Sequence, residues 1–150
     1  MEAEALWRAF QSAAGLAGDA TYLESFHFDV TQRAANELLA LVLSGRKRAT
    51  ASARFAYAAD GSDMPRVGDY SIVTDWDGDA RCVIRTTAVT VVPFDQMTFA
   101  VCSREGEDET LESWQANHRR FFAAEGADMG YAFAEDMPVV FEDFEVVYTA

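Results

Sequence analysis

Two runs with the period of a β-strand flank a three-residue turn in the middle of this sequence. Tyr70 to Trp76 and Arg81 to Val92 are rich in β-branched and aromatic residues, and Asp77-Gly78-Asp79 between them has the composition of a hairpin turn. In the second run Cys82, Ile84, Thr86 and Ala88 share one face, and Val83, Arg85, Thr87 and Val89 share the other. Pro93 stops the run, because it has no amide proton to give a neighbouring strand. A hairpin with arms this long commits the centre of the chain to antiparallel β-structure. Thr50 to Ala53 and Val139 to Tyr148 have the same character and supply further strands. Asp60 to Pro65 and Val67-Gly68-Asp69 between them are loop and turn sequences.

On either side the period changes to that of a helix. Leu6, Trp7 and Phe10 recur at helical spacing within 2–14, with Glu2 and Glu4 at the favourable end and Gly15 placed to stop the helix. Tyr22, Phe26 and Phe28 lie on alternate positions of a short extended segment. Thr31 is placed to cap a second helix through about Ser44, with Ala34, Ala35, Leu38, Leu41 and Val42 facing inward and Gly45 following the last turn. A third helix, from about Thr110 to Glu125, carries Leu111, Trp114, His118, Phe121 and Phe122 as one stripe, and Gly126 is placed to end it. The fold class is therefore α+β: several short antiparallel strands, in the manner of a small barrel, with about three helices. No repeat, low-complexity tract or linker divides the 150 residues, of which 50% are apolar, so the chain can bury a single core.

Charge is distributed unevenly. Twelve basic residues face twenty-five acidic ones, a net charge of −13. The segment from Gly45 to Arg54 holds four of the basic residues and no acid, leaving eight against twenty-five, or −17, on the rest. The chain has eleven arginines and one lysine, and that lysine, Lys47, lies inside the basic segment. A protein that coats nucleic acid needs a broad positive footprint, which this composition does not supply.

The acidic start, Met1-Glu2-Ala3-Glu4, does not read as a secretory signal, and the longest apolar run, Leu38 to Leu43, is too short to span a bilayer. The expected compartment is the cytoplasm, with no membrane partner. Cys82 and Cys102 stand apart with no CxxC pair, and are expected to be reduced, buried hydrophobes. Neither His27 nor His118 belongs to a metal-ligand pattern, so no metal and no cofactor is expected; no phosphate loop, GxSxG elbow or dinucleotide fingerprint is present.

Three places have chemical potential. At Gly45-Arg46-Lys47-Arg48-Ala49-Thr50 a tight turn would let Lys47 and Thr50 converge. A lysine beside a hydroxyl can bind an anion or polarised carbonyl, or, as the free amine, take the hydroxyl proton and create a nucleophile. The same residues also fit an exposed basic turn. At Glu105-Gly106-Glu107-Asp108-Glu109-Thr110 the acids suit a helix start, with Asp108 or Thr110 as cap; Gly106 also permits a turn that aims one carboxylate inward, toward Lys47 or a substrate. The third place is the Trp114–His118 face, where a satisfied buried histidine is the simpler reading.

These segments resemble the ASCH domain family. Glu37 to Thr50 is similar to its Gly-x-Lys-x-x-Thr signature, Pro65-Arg66-Val67-Gly68-Asp69 to its Pro-x-x-Gly-Asp turn, and Glu105-Gly106-Glu107-Asp108 with Leu111, Trp114, His118, Phe121 and Phe122 to its acidic and aromatic segment. The likeness covers roughly residues 30 to 148. It implies a PUA-like small antiparallel β-barrel over 30–150, preceded by an N-terminal helical extension and arm at 1–29. The best-defined enzymatic branch of the family removes the acetyl group from N4-acetylcytidine without a metal. Carried over, Thr50 would be the nucleophile, Lys47 its base and Glu107 the group that orients the lysine and handles protons. The surrounding substrate-binding set would be Arg46, Arg48, Ser52, Arg54, Tyr57, Glu105 and Trp114. Ser52 stands where that branch has an arginine, and Asp108 follows Glu107 without the usual spacer. Other family members are RNA-binding modules or ribonucleases. Two readings follow from the resemblance: a pocket for a nucleoside-like small molecule, with or without amide hydrolysis, or a non-catalytic RNA- or nucleotide-binding module or ribonuclease. The acidic surface favours the small ligand over polymeric RNA.

Overall fold

The computed structural model describes residues 1–150. Helix α1 (Ala3–Ala14) leads by an extended segment to the short strand β1 (Ser25–Phe26). Helix α2 (Gln32–Leu43), strand β2 (Ala49–Ala53) and the short helix α3 (Arg54–Asp60) follow. Strands β3 (Tyr70–Thr74) and β4 (Ala80–Pro93) form the hairpin. A 3₁₀ turn, the single-turn helix α4 (Phe99–Cys102) and a second 3₁₀ turn (Ser103–Glu105) lead to the long helix α5 (Leu111–Met129), and β5 (Pro138–Thr149) closes the chain. The expected caps form: the Thr31 hydroxyl accepts from the Ala34 amide at 3.2 Å and the Thr110 hydroxyl from the Ser113 amide at 3.1 Å.

All five strands lie in one sheet, in the order β1-β3-β4-β5-β2. Every pairing is antiparallel except that of β1 with β3. The sheet is not closed, so β1 and β2 are its edges, and the long β4–β5 ladder changes register twice, at Val83/Ile84 and Thr86/Ala88. Such bulges bend and twist a sheet, and this one is roughly barrel-like. The expected α+β architecture, a largely antiparallel sheet flanked by helices, is the one observed.

Helices cover the sheet on both faces, which explains why Cys82, Val83 and Ile84 are buried although they are consecutive. On one face Leu6, Trp7 and Phe10 of α1 pack with Ile72, Ala80 and Val83. On the other, Leu39 and Val42 of α2 pack with Phe28, Val73, Cys82, Ile84 and Phe144. A third cluster joins Trp114 and Phe122 of α5 to Phe94, Met137, Val139 and Phe141. Both cysteines are free and buried, and burial pushes each thiol up to about 11, which keeps it protonated and inert.

Three details differ from the sequence expectation. In α2 the buried residues are Ala35, Leu39 and Val42, whereas Leu38 and Leu41 border a surface groove; six apolar residues in a row leave no polar position to set the phase of the helix. Helix α5 runs past Gly126 to Met129, and Gly130 takes the left-handed position after it. Gly126 is buried because the chain returns directly over it: a Cβ there would collide with the Tyr131 carbonyl oxygen. Two further short helices, α3 and α4, have too few residues for a helical pattern to show.

Candidate functional site

The site starts from the turn after α2. The amides of Arg46 and Lys47 both donate to the Leu41 carbonyl at 3.0 Å, which wraps the chain tightly against the end of the helix. The alternation of the extended segment that follows leaves Arg46 and Arg48 exposed and turns Lys47 inward, where it is only 2% exposed. An ammonium removed from water must find partners. The Lys47 Nζ donates to the Ala49 carbonyl at 2.8 Å and to Glu107 Oε2 at 2.6 Å, stands 3.7 Å from Glu105 Oε1, and lies 5.2 Å above the Phe28 ring.

The two carboxylates reach it because Gly106 makes the turn between them. Its φ is +72°, a left-handed value, and a Cβ there would collide with the Arg46 carbonyl oxygen. Glu105 is as buried as Lys47, at 2% exposed, and accepts from the Trp114 indole N–H. It also lies 3.5 Å from His118 Nε2. His118 stacks on Trp114, with ring centroids 4.1 Å apart, and its Nδ1–H donates to the Trp114 carbonyl at 2.9 Å. Lys47, Glu105, Glu107 and His118 form one connected network of ionisable groups.

The ionisation tendencies follow from these contacts. Burial works against the Glu105 carboxylate, but His118, Lys47 and Trp114 outweigh it and hold the group below the usual carboxylate range. Burial also disfavours the His118 imidazolium; the Glu105 carboxylate reverses this and raises the ring above its ordinary value. Glu107 moves the other way. Burial, with some repulsion from Glu105, exceeds the attraction of Lys47 and raises its carboxyl group. The site thus pairs a carboxylate that holds its charge with one that gives it up more readily.

Glu105, Glu107, His118, Asn117, Asp29 and Thr50 line a cavity of about 150 Å³, with Leu38 and Phe121 beside them. It opens onto a groove between α2 and α5 that contains Leu41, Arg120 and Ala124. Thr50 also lines a second cavity, of about 560 Å³, together with Ser52 and Tyr57. No hydrogen bond joins Lys47 to Thr50. Burial raises the Tyr57 hydroxyl, partly offset by the nearby Ser52 hydroxyl.

The remaining sequence candidates scatter. Lys47 does not line the small cavity; with Arg48 it borders a different depression, beside Phe144. Arg46 and Arg54 are exposed and line neither cavity. Trp114 is 0% exposed, so it acts on the site only through Glu105 and the His118 ring. His118 combines two roles, packed as a core histidine and present on the cavity wall. Asn117 and Asp29 carried no sequence signal. Asn117 donates to Asp108 Oδ1 at 2.7 Å. Asp29 is the one non-glycine residue with a left-handed φ, +60°, a conformation found preferentially at functional sites.

Comparison with known proteins agrees with this arrangement of elements. The ASCH domain of Lactobacillus crispatus JV V101 superimposes with a TM-score of 0.88 at 33% identity, covering 97% of this chain and 93% of that one. Protein EF3133 from Enterococcus faecalis V583 gives a TM-score of 0.90 at 33% identity over 97% of this chain and 88% of that one. The hypothetical protein PH0355, at 16% identity and a TM-score of 0.50, shares the fold alone. A search of curated proteins finds no match. The family model for the ASCH domain matches residues 24–148, and the chain belongs to that family.

Proposed function

We propose that the cavity lined by Thr50, Glu105, Glu107 and His118 binds a nucleoside-like small molecule and hydrolyses an amide on it, as in N4-acylated cytidine, without a metal. The observation that carries this reading is the 2.6 Å contact of the buried Lys47 with Glu107, which shares a cavity wall with Thr50. In the proposed sequence Lys47 passes a proton to Glu107, whose raised pKa suits it to accept one. The free amine takes the Thr50 hydroxyl proton as Oγ1 adds to the amide carbonyl carbon. The tetrahedral adduct collapses with cleavage of the C–N bond, and the leaving amine takes that proton back from Lys47. Water then adds to the acyl ester as it gives a proton to the same amine; the ester C–O bond breaks, Thr50 Oγ1 takes that proton, the carboxylic acid leaves, and Glu107 returns its proton to Lys47. Thr50 must approach Lys47 when substrate enters, since the two are not hydrogen-bonded in the free protein.

The walls favour an uncharged ligand. The small cavity is lined by Asp29, Glu105, Glu107 and His118 and by no arginine or lysine, so a phosphate group would meet net repulsion. The decisive experiment incubates the protein with N4-acetylcytidine and follows release of cytidine and acetate by chromatography. Thr50→Ala and Lys47→Ala should each reduce turnover by about 10² or more. Turnover that survives both substitutions removes the assignment. A second reading, an RNA-binding module or ribonuclease, has the exposed Arg46, Arg48 and Arg54 in its favour. It requires affinity for single-stranded RNA that falls with salt by about one slope unit per phosphate contacted.

A further inference from the structure

The larger cavity, on the other side of Thr50, has a different chemistry from the Lys47 site. Its mouth and walls carry four acids, Glu24, Asp60, Asp63 and Glu142, and no arginine or lysine. Glu142 is the half-buried one of the four; Glu24, Asp60 and Asp63 stand at the exposed rim. Glu142 stands on β5 opposite Thr50 and accepts from the Thr86 hydroxyl at 2.6 Å, leaving its second oxygen without a protein partner. Burial, together with the neighbouring charges of Glu24 and Asp69, raises its carboxyl group. Burial and Asp60 raise that of Glu24 in the same way. Carboxylates that repel one another in a recess are relieved by a bound cation.

A second observation is independent of the acids. Ser71, on β3, lines the same cavity and is 6% exposed, and its hydroxyl makes no hydrogen bond within the protein. A hydroxyl on an otherwise buried residue that reaches a cavity wall unpaired is a position where a ligand completes the bonding. The walls also contain the rings of Phe26 and Tyr57, whose faces attract organic cations. A metal ion fits less well: nowhere in the protein are three His, Cys, Asp or Glu side chains grouped closely enough to hold one. At about 560 Å³ the cavity has the size of a small-molecule site.

We propose that this cavity, bounded by Glu24, Glu142, Ser71, Phe26 and Tyr57, is a binding site for an organic ammonium group. One N–H donates to the open oxygen of Glu142, another to Ser71 Oγ, and the methylene groups next to the nitrogen lie against the two rings. Thr50 lines both this cavity and the smaller one beside Glu107, so a ligand with an ammonium group and an amide could occupy the two together. The site does not depend on the hydrolytic reading, because binding is measured with no scissile amide present.

The test is calorimetric titration of the full chain with 1,4-diaminobutane at low ionic strength, with butan-1-ol and calcium chloride as comparisons. The expected result is saturable one-to-one binding of the diamine and none of the alcohol. Glu142→Gln, which can keep an amide oxygen for Thr86, should weaken binding about tenfold or more, and Ser71→Ala about fivefold. Should Glu142→Gln fail to fold, Glu24→Gln replaces it, since Glu24 makes no side-chain hydrogen bond within the protein. Asp77→Asn with Asp79→Asn, at the distant hairpin tip, should leave affinity within twofold. Absence of saturable binding, equal binding of the alcohol, binding of calcium alone, or equal weakening by the hairpin-tip variants would overturn the proposal. The last outcome would assign the attraction to the acidic surface as a whole.

Discussion

Lys47, only 2% exposed, is held by two carboxylates and a carbonyl. A buried pair contributes little net stability when intact, because desolvation offsets attraction, yet removing one member leaves the other charges stranded. Lys47→Ala should therefore destabilise the fold by about 3–5 kcal/mol, read from urea denaturation. Glu107→Gln should have a smaller effect, since the Glu107 side chain is 27% exposed and water can reach it. The Glu105–His118 contact yields a pH dependence. A raised histidine contributes stability that is fully present below the ordinary imidazole value of 6.5 and is lost as pH rises through its folded value. A lowered glutamate contributes stability that is present above its ordinary 4.5 and is lost as pH falls through its folded value. The contact should accordingly contribute most between about 4.5 and 6.5 and fade on either side. In Glu105→Gln the His118 titration, followed by NMR, should move down and the upper part of the dependence should flatten. At this scale the lysine was conspicuous in the sequence as the only one of its kind, and a Gly between two glutamates hinted at an inward carboxylate. Which partner each glutamate meets was not legible, because Glu105 and Glu107 lie about sixty positions from Lys47 and are brought there by the turn at 103–106, which docks on the start of β2 through the Arg48 amide to the Arg104 carbonyl at 2.9 Å.

The elements that carry the site are positioned by tight turns more than by long contacts. Gly106 has a left-handed φ and no room for a Cβ beside Arg46. Gly106→Ala combines backbone strain with a steric collision and should cost about 3 kcal/mol or more. Gly78→Ala at the hairpin turn, where φ is +90° but a Cβ would meet open space, should cost about 1–2 kcal/mol. A pair of thermal melts compares them; equal losses would mean that the Gly106–Arg46 approach does not position Glu105 and Glu107. The helices and strands were legible wherever the period held for ten residues or more, as in α1, α5 and β4. The inward face of α2 was not, since Leu38 to Leu43 are all apolar and the choice of Leu39 over Leu38 was made by Phe28, Val73 and Phe144 across the interface. Gly126 was misleading for a related reason: the glycine serves the close passage of Tyr131 and not the end of the helix.

Across the whole molecule, α1 belongs to the core although it precedes the residues that match the family model. Trp7 is buried with Phe10, Tyr22 and Tyr70 at ring separations of 5.3–5.6 Å. Trp7→Ala should cost about 3–5 kcal/mol, a large share of a stability of roughly 5–15 kcal/mol. The measurement is a denaturation midpoint, and a loss below about 1 kcal/mol would show that α1 is an accessory to the sheet. Charge also acts at this scale. The acidic excess surrounds the molecule and lines both cavities that meet at Thr50, so the basic segment at Gly45 to Arg54 does not make a basic pocket. Arg46 and Arg54 turn outward, Arg48 and Lys47 border the depression beside Phe144 and Glu145, and Lys47 is paired with Glu107. Local chemistry written along the chain was enough to determine the antiparallel hairpin, the three long helices with the threonine caps of two of them, and the α+β class, because period, turn residues and capping hydroxyls act between near neighbours. The ion network under Lys47, the open Ser71 hydroxyl and the two cavities that share Thr50 arise between residues far apart in sequence. Burial and electrostatic partnership depend on distances through space, and those distances exist only once the helices have packed onto the sheet.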